Sequence, residues 1–179
     1  MLDRDAVALV VIDFQEKLLP KILGADAVAE QGTKLIRFAR ELGIPILWTE
    51  QYPKGLGRTV APVAAELESI VPIEKTAFGC LGDKAFADAL AATGRNQLLL
   101  TGIEAHICVM QTALLAIEQG YRVFVPRDAV GSRFEPEYRA GLDRLERAGA
   151  ELVTTEMAIF EILREAGTPD FKKALPLIK

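Results

Sequence analysis

The chain has 179 residues, 50% of them hydrophobic and 26% charged, which is enough to build a full core and too apolar for a disordered chain. Its 21 basic and 25 acidic residues leave a net charge of −4 with no run of Lys and Arg, so nucleic acid and anionic membrane are not expected partners. The only cysteines, Cys80 and Cys108, are too few for a disulfide framework, so a reducing cytoplasm is the expected compartment and both thiols are free for chemistry.

The first element runs from Val7 to Ile12, apolar on successive residues, as expected of a strand buried on both faces. The apolar stretch from Ala6 is far shorter than the roughly 20 residues of a membrane span, and it follows Asp3 and Asp5, unlike a secretion signal. Val28, Leu35, Ile36, Ala39 and Leu42 then recur at helical spacing up to Gly43, before a strand over Ile44 to Thr49. Glu50 to Thr59, with Pro53, Gly55 and Gly57, reads as a loop, and so does Thr76 to Gly82 after the short extended piece Val71 to Glu74. Gly94 precedes a strand over Gln97 to Gly102, Gly120 one over Tyr121 to Val125, and Gly149 one over Glu151 to Val153. Glycine at a helix C-terminus explains that punctuation. The intervening helices are marked by Val109, Ala113, Leu114 and Ile117, and by Tyr138, Leu142, Leu145 and Ala148. Asp128 to Pro136 reads as irregular, and the tail after Gly167 as a short helix packed on the surface or on a partner. The alternation predicts a parallel sheet in a three-layer α/β/α domain. No linker or repeat interrupts it, so residues 1–179 are expected to form one domain.

In such a sheet ligands bind beyond the carboxyl ends of the strands. Asp13 closes the first strand, Lys75 closes the extended piece, and Cys108 follows the strand that ends near Thr101 by a brief turn into the next helix. A cysteine in the first turn of a helix meets unpaired N–H groups and the positive end of the dipole, which should ease thiolate formation. Each residue also has a plain reading: Cys108 as a small buried hydrophobe between Ile107 and Val109, Asp13 as a loop acceptor, Lys75 as a surface lysine. Together they make chemical sense, because a carboxylate can take a thiol proton and an ammonium can steady that carboxylate. His106 lies two residues from Cys108, too near along a helix for their side chains to pair, so it is expected as a pocket wall or a cap. One histidine and two unpaired cysteines predict no metal site, and no glycine-rich phosphate motif predicts a cofactor.

Three segments, Val11–Gln15 (VIDFQ), Glu74–Phe78 (EKTAF) and Gly102–Val109 (GIEAHICV), resemble the signatures of the isochorismatase-like cysteine hydrolase family. Thr49–Gly57 (TEQYPKGLG) is similar to the branch that includes the isochorismatase domain-containing proteins. The resemblance implies a six-stranded parallel sheet, with Asp13 as base, Lys75 as its charged partner and Cys108 as nucleophile. It also implies a cis peptide between Ile103 and Glu104, oxyanion donors from Ile107 and Cys108 or close by, and a homo-oligomer, a dimer or larger. Metal-binding histidines of the nicotinamidases have no counterpart beside Thr49, Glu50, Gln51 and Tyr52.

The expected activity is hydrolysis of a C–N bond in a small amide or related substrate. Phe14, Tyr52, Phe78 and His106 are expected to wall the pocket, and Gln15 or Gln51 to anchor the substrate. Two other readings stay open: hydrolysis of an isochorismate-like enol ether with Asp13 as acid, and a non-catalytic thiol redox or scaffold protein using Cys80 and Cys108.

Overall fold

The computed structural model describes residues 1–178. Its centre is β1 (Val7–Ile12), with every residue buried, as the unbroken apolar run predicts. It pairs in parallel with β2 (Ile46–Gln51) on one side and β4 (Gln97–Ile103) on the other. β3 (Ile73–Lys75) lies beyond β2, while β5 (Arg122–Pro126) and then β7 (Glu151–Val153) lie beyond β4. The order β3-β2-β1-β4-β5-β7 accounts for six strands, and a two-residue strand β6 (Val130–Gly131) pairs with the end of β4. That last strand falls within the stretch read as irregular. β2 also runs on through Glu50 and Gln51, residues assigned from sequence to the following loop.

Three helices, α1 (Ala25–Leu42), α7 (Thr155–Leu163) and α8 (Pro169–Ile178), cover the face that carries Leu9, Val11, Leu99 and Phe124, while the one-turn helices α2 (Pro53–Leu56) and α3 (Ala61–Ala64) lie in the segment between β2 and β3. α4 (Lys84–Ala92), α5 (Met110–Glu118) and α6 (Glu135–Arg147) cover the face of Val10, Ile12, Leu98, Leu100 and Val123. The chain leaves β1 in one direction through α1 and later crosses back through α4 to β4. Right-handed crossovers in opposite directions place their helices on opposite faces. The sense of winding therefore switches between β1 and β4, where a ligand crevice forms. The C-terminal tail packs as α8 on α1, with Ala174 buried. Among the described residues no helix is long and apolar enough to cross a membrane.

The ends of β1 and β4 approach closely. Gly102 has φ +133°, and a Cβ there would lie 2.0 Å from the Ile12 carbonyl oxygen. Only glycine permits that contact. Phe14 enters the α1 face, where a Cβ on Gly32 would sit 2.8 Å from Phe14 Cζ. With its ring at 0% exposure in the core, Phe14 does not wall a pocket, contrary to the expectation from its place after the strand. Phe14→Ala should cost about 3–5 kcal/mol of stability through the cavity it leaves, measured as a lower urea midpoint.

Candidate active site

Asp13 follows β1 with φ 55°, a left-handed conformation that aspartate adopts more readily than most residues. The turn sends its carboxylate toward β2 and β3, while the next side chain, Phe14, goes to the opposite face. Oδ1 accepts a hydrogen bond from Thr49 Oγ1 at 2.8 Å, and Oδ2 accepts one from Lys75 Nζ at 2.8 Å. Lys75 closes β3 and also donates to Gln51 Oε1 at 2.7 Å and to the carbonyls of Phe78 and Ala77 at 3.2 and 3.3 Å. Neither side chain of the Asp13–Lys75 pair has any exposed surface. Burial works against the Lys75 ammonium, but Asp13 and the two cysteines outweigh it and the pKa of Lys75 is raised.

Cys108 is brought to this pair by a π-helical turn, Ala105–Val109, that leads into α5. The Glu104 carbonyl accepts the N–H groups of Ile107 at 3.0 Å and Val109 at 3.2 Å. The Ile107 N–H is thus engaged and does not serve as the open donor expected of it. The N–H of Cys108 is not among the donors to Glu104. Ile103 and Glu104 are joined by a cis peptide, and the Glu104 carboxylate accepts from the N–H of Arg133 at 3.1 Å and from its Nε at 3.0 Å. Burial pushes the Cys108 thiol up, the Asp13 carboxylate adds to that, and Lys75 opposes it without prevailing. The expected ease of thiolate formation is therefore corrected: burial and the neighbouring carboxylate outweigh Lys75 and raise the thiol.

Four other expected site residues are placed differently from one another. Gln51 lies against Lys75, whereas Gln15 does not reach it. Gln15 Nε2 donates to the carbonyls of Gln51 and Gly57 at 2.9 and 2.7 Å, and its Oε1 accepts the Gln51 N–H at 2.7 Å. Its amide is committed to backbone and is no substrate anchor. Tyr52 and Phe78 are each 54% exposed. Tyr52 lines an open cleft of about 270 Å³ with Pro53, Lys54, Glu74, Lys75 and Thr76.

His106 turns away from Cys108, with Nδ1 2.9 Å from Ser132 Oγ. Its backbone packs on α6, where a Cβ on Gly141 would lie 2.9 Å from His106 Cα.

Two participants, Thr49 and Glu50, were missed from sequence. Thr49 holds Asp13, and the signal was its position opposite Ile12 in the β1–β2 register. Buried Glu50 clamps the loop after β2 by accepting from Thr59 N at 2.7 Å and Arg58 Nη1 at 2.8 Å. Cys80, fully buried at a 3-10 turn, donates its N–H to Thr112 Oγ1 at 3.0 Å, and that hydroxyl donates to the Cys108 carbonyl at 2.6 Å. Burial pushes the Cys80 thiol up to about 11. Among the described residues no three His, Cys, Asp or Glu side chains are grouped so as to hold a metal ion.

A doubly wound parallel sheet with carboxylate, ammonium and thiol converging at its switch point defines an α/β domain of the hydrolase type. The isochorismatase domain model matches residues 7–157, and the chain belongs to that family. It is 38% identical over 174 residues to isochorismatase domain-containing protein 2A of Mus musculus, covering 96% of this chain and 82% of that protein. Among solved structures it is similar to MAR1 ribonuclease from Caenorhabditis elegans, with a TM-score of 0.93, 37% identity and coverage of 99% of this chain and 91% of that one. The YcaC gene product of Escherichia coli, an octameric hydrolase of unknown specificity, gives a TM-score of 0.92 at 28% identity over 99% and 88% of the two chains.

Lys75→Met leaves the Asp13 carboxylate buried without its counter-charge and should cost about 3–5 kcal/mol. Adding Asp13→Asn should recover part of that loss in denaturant titrations at neutral pH. A second expectation concerns alkaline pH. The unfolded Cys80 thiol ionises near about 8.5, whereas the folded one holds its proton to about 11. Its stabilising contribution is therefore complete below the unfolded value and falls as pH rises through the folded one. The alkaline slope of unfolding free energy should be shallower in Cys80→Ala than in the parent chain.

Proposed function

We propose that this chain hydrolyses a C–N bond in a small amide or related substrate, with Cys108 as nucleophile, Asp13 as base and Lys75 as charged partner. The observation that carries this reading is the buried Asp13–Lys75 pair set beside the Cys108 thiol. Burial and Asp13 raise the thiol, and in this reading its proton leaves to a general base as the sulfur attacks. Asp13 takes the proton, and the carbonyl oxygen becomes an oxyanion for which the Cys108 N–H is the proposed donor. Asp13 then returns the proton to the leaving nitrogen as the C–N bond breaks. Water, deprotonated by the same carboxylate, cleaves the thioester, and its proton restores the thiol.

The same reading places the chain in the cytoplasm as a homo-oligomer, in line with the octameric E. coli neighbour. Enol-ether hydrolysis fits less well, since it leaves the Cys108 thiol beside Asp13 without a role. RNA cleavage, the activity named for the nematode neighbour, is not favoured by a net charge of −4 with no run of Lys and Arg.

Ammonia release should be followed over a panel of small primary amides and carbamoyl compounds, with an enol ether and an RNA oligonucleotide alongside. Cys108→Ala should lower amide turnover by about a thousandfold or more. Amide turnover that survives Cys108→Ala would sink the reading, as would activity confined to the enol ether or the RNA.

A further inference from the structure

Lys75 has three protons to donate and four oxygens around it. Asp13 Oδ2 takes one at 2.8 Å and Gln51 Oε1 another at 2.7 Å, while the Phe78 and Ala77 carbonyls share the third at 3.2 and 3.3 Å. No ammonium proton remains for a substrate. Gln51 is equally engaged: its Nε2 donates to the Thr76 carbonyl at 2.8 Å, and the Gln15 amide holds its backbone N–H at 2.7 Å and its carbonyl at 2.9 Å. Gln51 is 7% exposed, and each of its polar atoms already has a protein partner. What the arrangement does is place one acceptor oxygen, from a backbone fixed by Gln15, where the ammonium must come.

We propose that Gln51 is a positioning residue: its side-chain oxygen, set by the Gln15 clamp, fixes the Lys75 ammonium against Asp13 and beside Cys108. The proposal rests on the cysteine-hydrolase reading above. A lysine ammonium rides on a flexible four-carbon stem, and a single bond to Asp13 would leave it free to swing. The titratable groups facing it are Asp13 after β1, Cys80 before α4 and Cys108 before α5. Lys75 draws the Cys108 thiol down against burial, and that pull weakens with distance. An ammonium that drifts therefore leaves Cys108 slower to react.

The test is iodoacetamide alkylation of Cys108 across neutral to alkaline pH, read by peptide mass spectrometry with no substrate present. Gln51→Leu should slow Cys108 by about tenfold or more and move its profile to higher pH. Gln51→Asn keeps the amide and adds no charge but draws its oxygen back by one methylene, so it should also move the profile to higher pH, by less than Gln51→Leu. If the Leu variant fails to melt cooperatively, the Asn variant decides. A folded Gln51→Asn protein whose profile superimposes on the parent overturns the proposal. So does a change in KM for an amide with the substrate-free profile untouched, because that is a substrate contact. Asp13→Asn and Lys75→Met separate the two levels. If neither moves the profile, the triad reading itself has failed; if both do and the Gln51 variants do not, only the positioning role is lost.

Discussion

A carboxylate and an ammonium with no exposed side-chain surface are tolerable only together. Much of the edge above β1, β2 and β3 follows from that requirement. The second carboxylate oxygen is satisfied by Thr49, and the remaining ammonium protons by Gln51 and two carbonyls of the loop after β3. That loop is therefore shaped by the charge it surrounds. Gln51 in turn needs a fixed backbone, which the Gln15 amide supplies while also catching Gly57 of the next loop. An ion pair at the floor of the crevice thus dictates the course of both loops that border it.

The sheet makes this pairing possible. Asp13 and Lys75 lie 62 positions apart in the chain, and they meet because β2 is inserted between β1 and β3 in register. Cys108 comes from the other side of β1, through β4, so the carboxylate after the central strand is the one group that both others can reach. The close contact at Gly102 brings the β4 end against Ile12 and carries the π turn with it. α6 supports that turn from outside at Gly141.

Strands and helices were legible wherever burial alone decides the pattern. β1 is apolar at every position because both faces are covered, and the glycines that close α1, α4 and α6 mark helix ends by conformational need. The convergence of Asp13, Lys75 and Cys108 followed from the rule that polar residues at strand ends face a crevice. Which of the neighbouring polar and aromatic residues face it was not legible. Phe14 and Asp13 are adjacent, and a single positive φ sends one into the core and the other into the site. Gln15 and Gln51 look alike as free amides in sequence, and only tertiary hydrogen bonds tell a loop clamp from an ammonium acceptor. Glu50 was hidden for the same reason: a buried carboxylate reads as a loop residue until Thr59 and Arg58 fold back onto it.

The electrostatics of the thiol carry the last step. A helix start acting alone would favour a thiolate, but burial and the neighbouring carboxylate push Cys108 the other way. The same carboxylate that raises the thiol is, in the proposed reaction, the group that takes its proton. These effects are compatible only if deprotonation waits for an electrophile, since charge leaving sulfur into a forming C–S bond removes the repulsion that Asp13 would otherwise feel. Lys75, held on all its protons, then serves as a fixed counter-charge for Asp13 as the proton moves. In the reaction proposed above, selectivity is therefore set by where a carbonyl is held over the sulfur and not by the intrinsic reactivity of the cysteine.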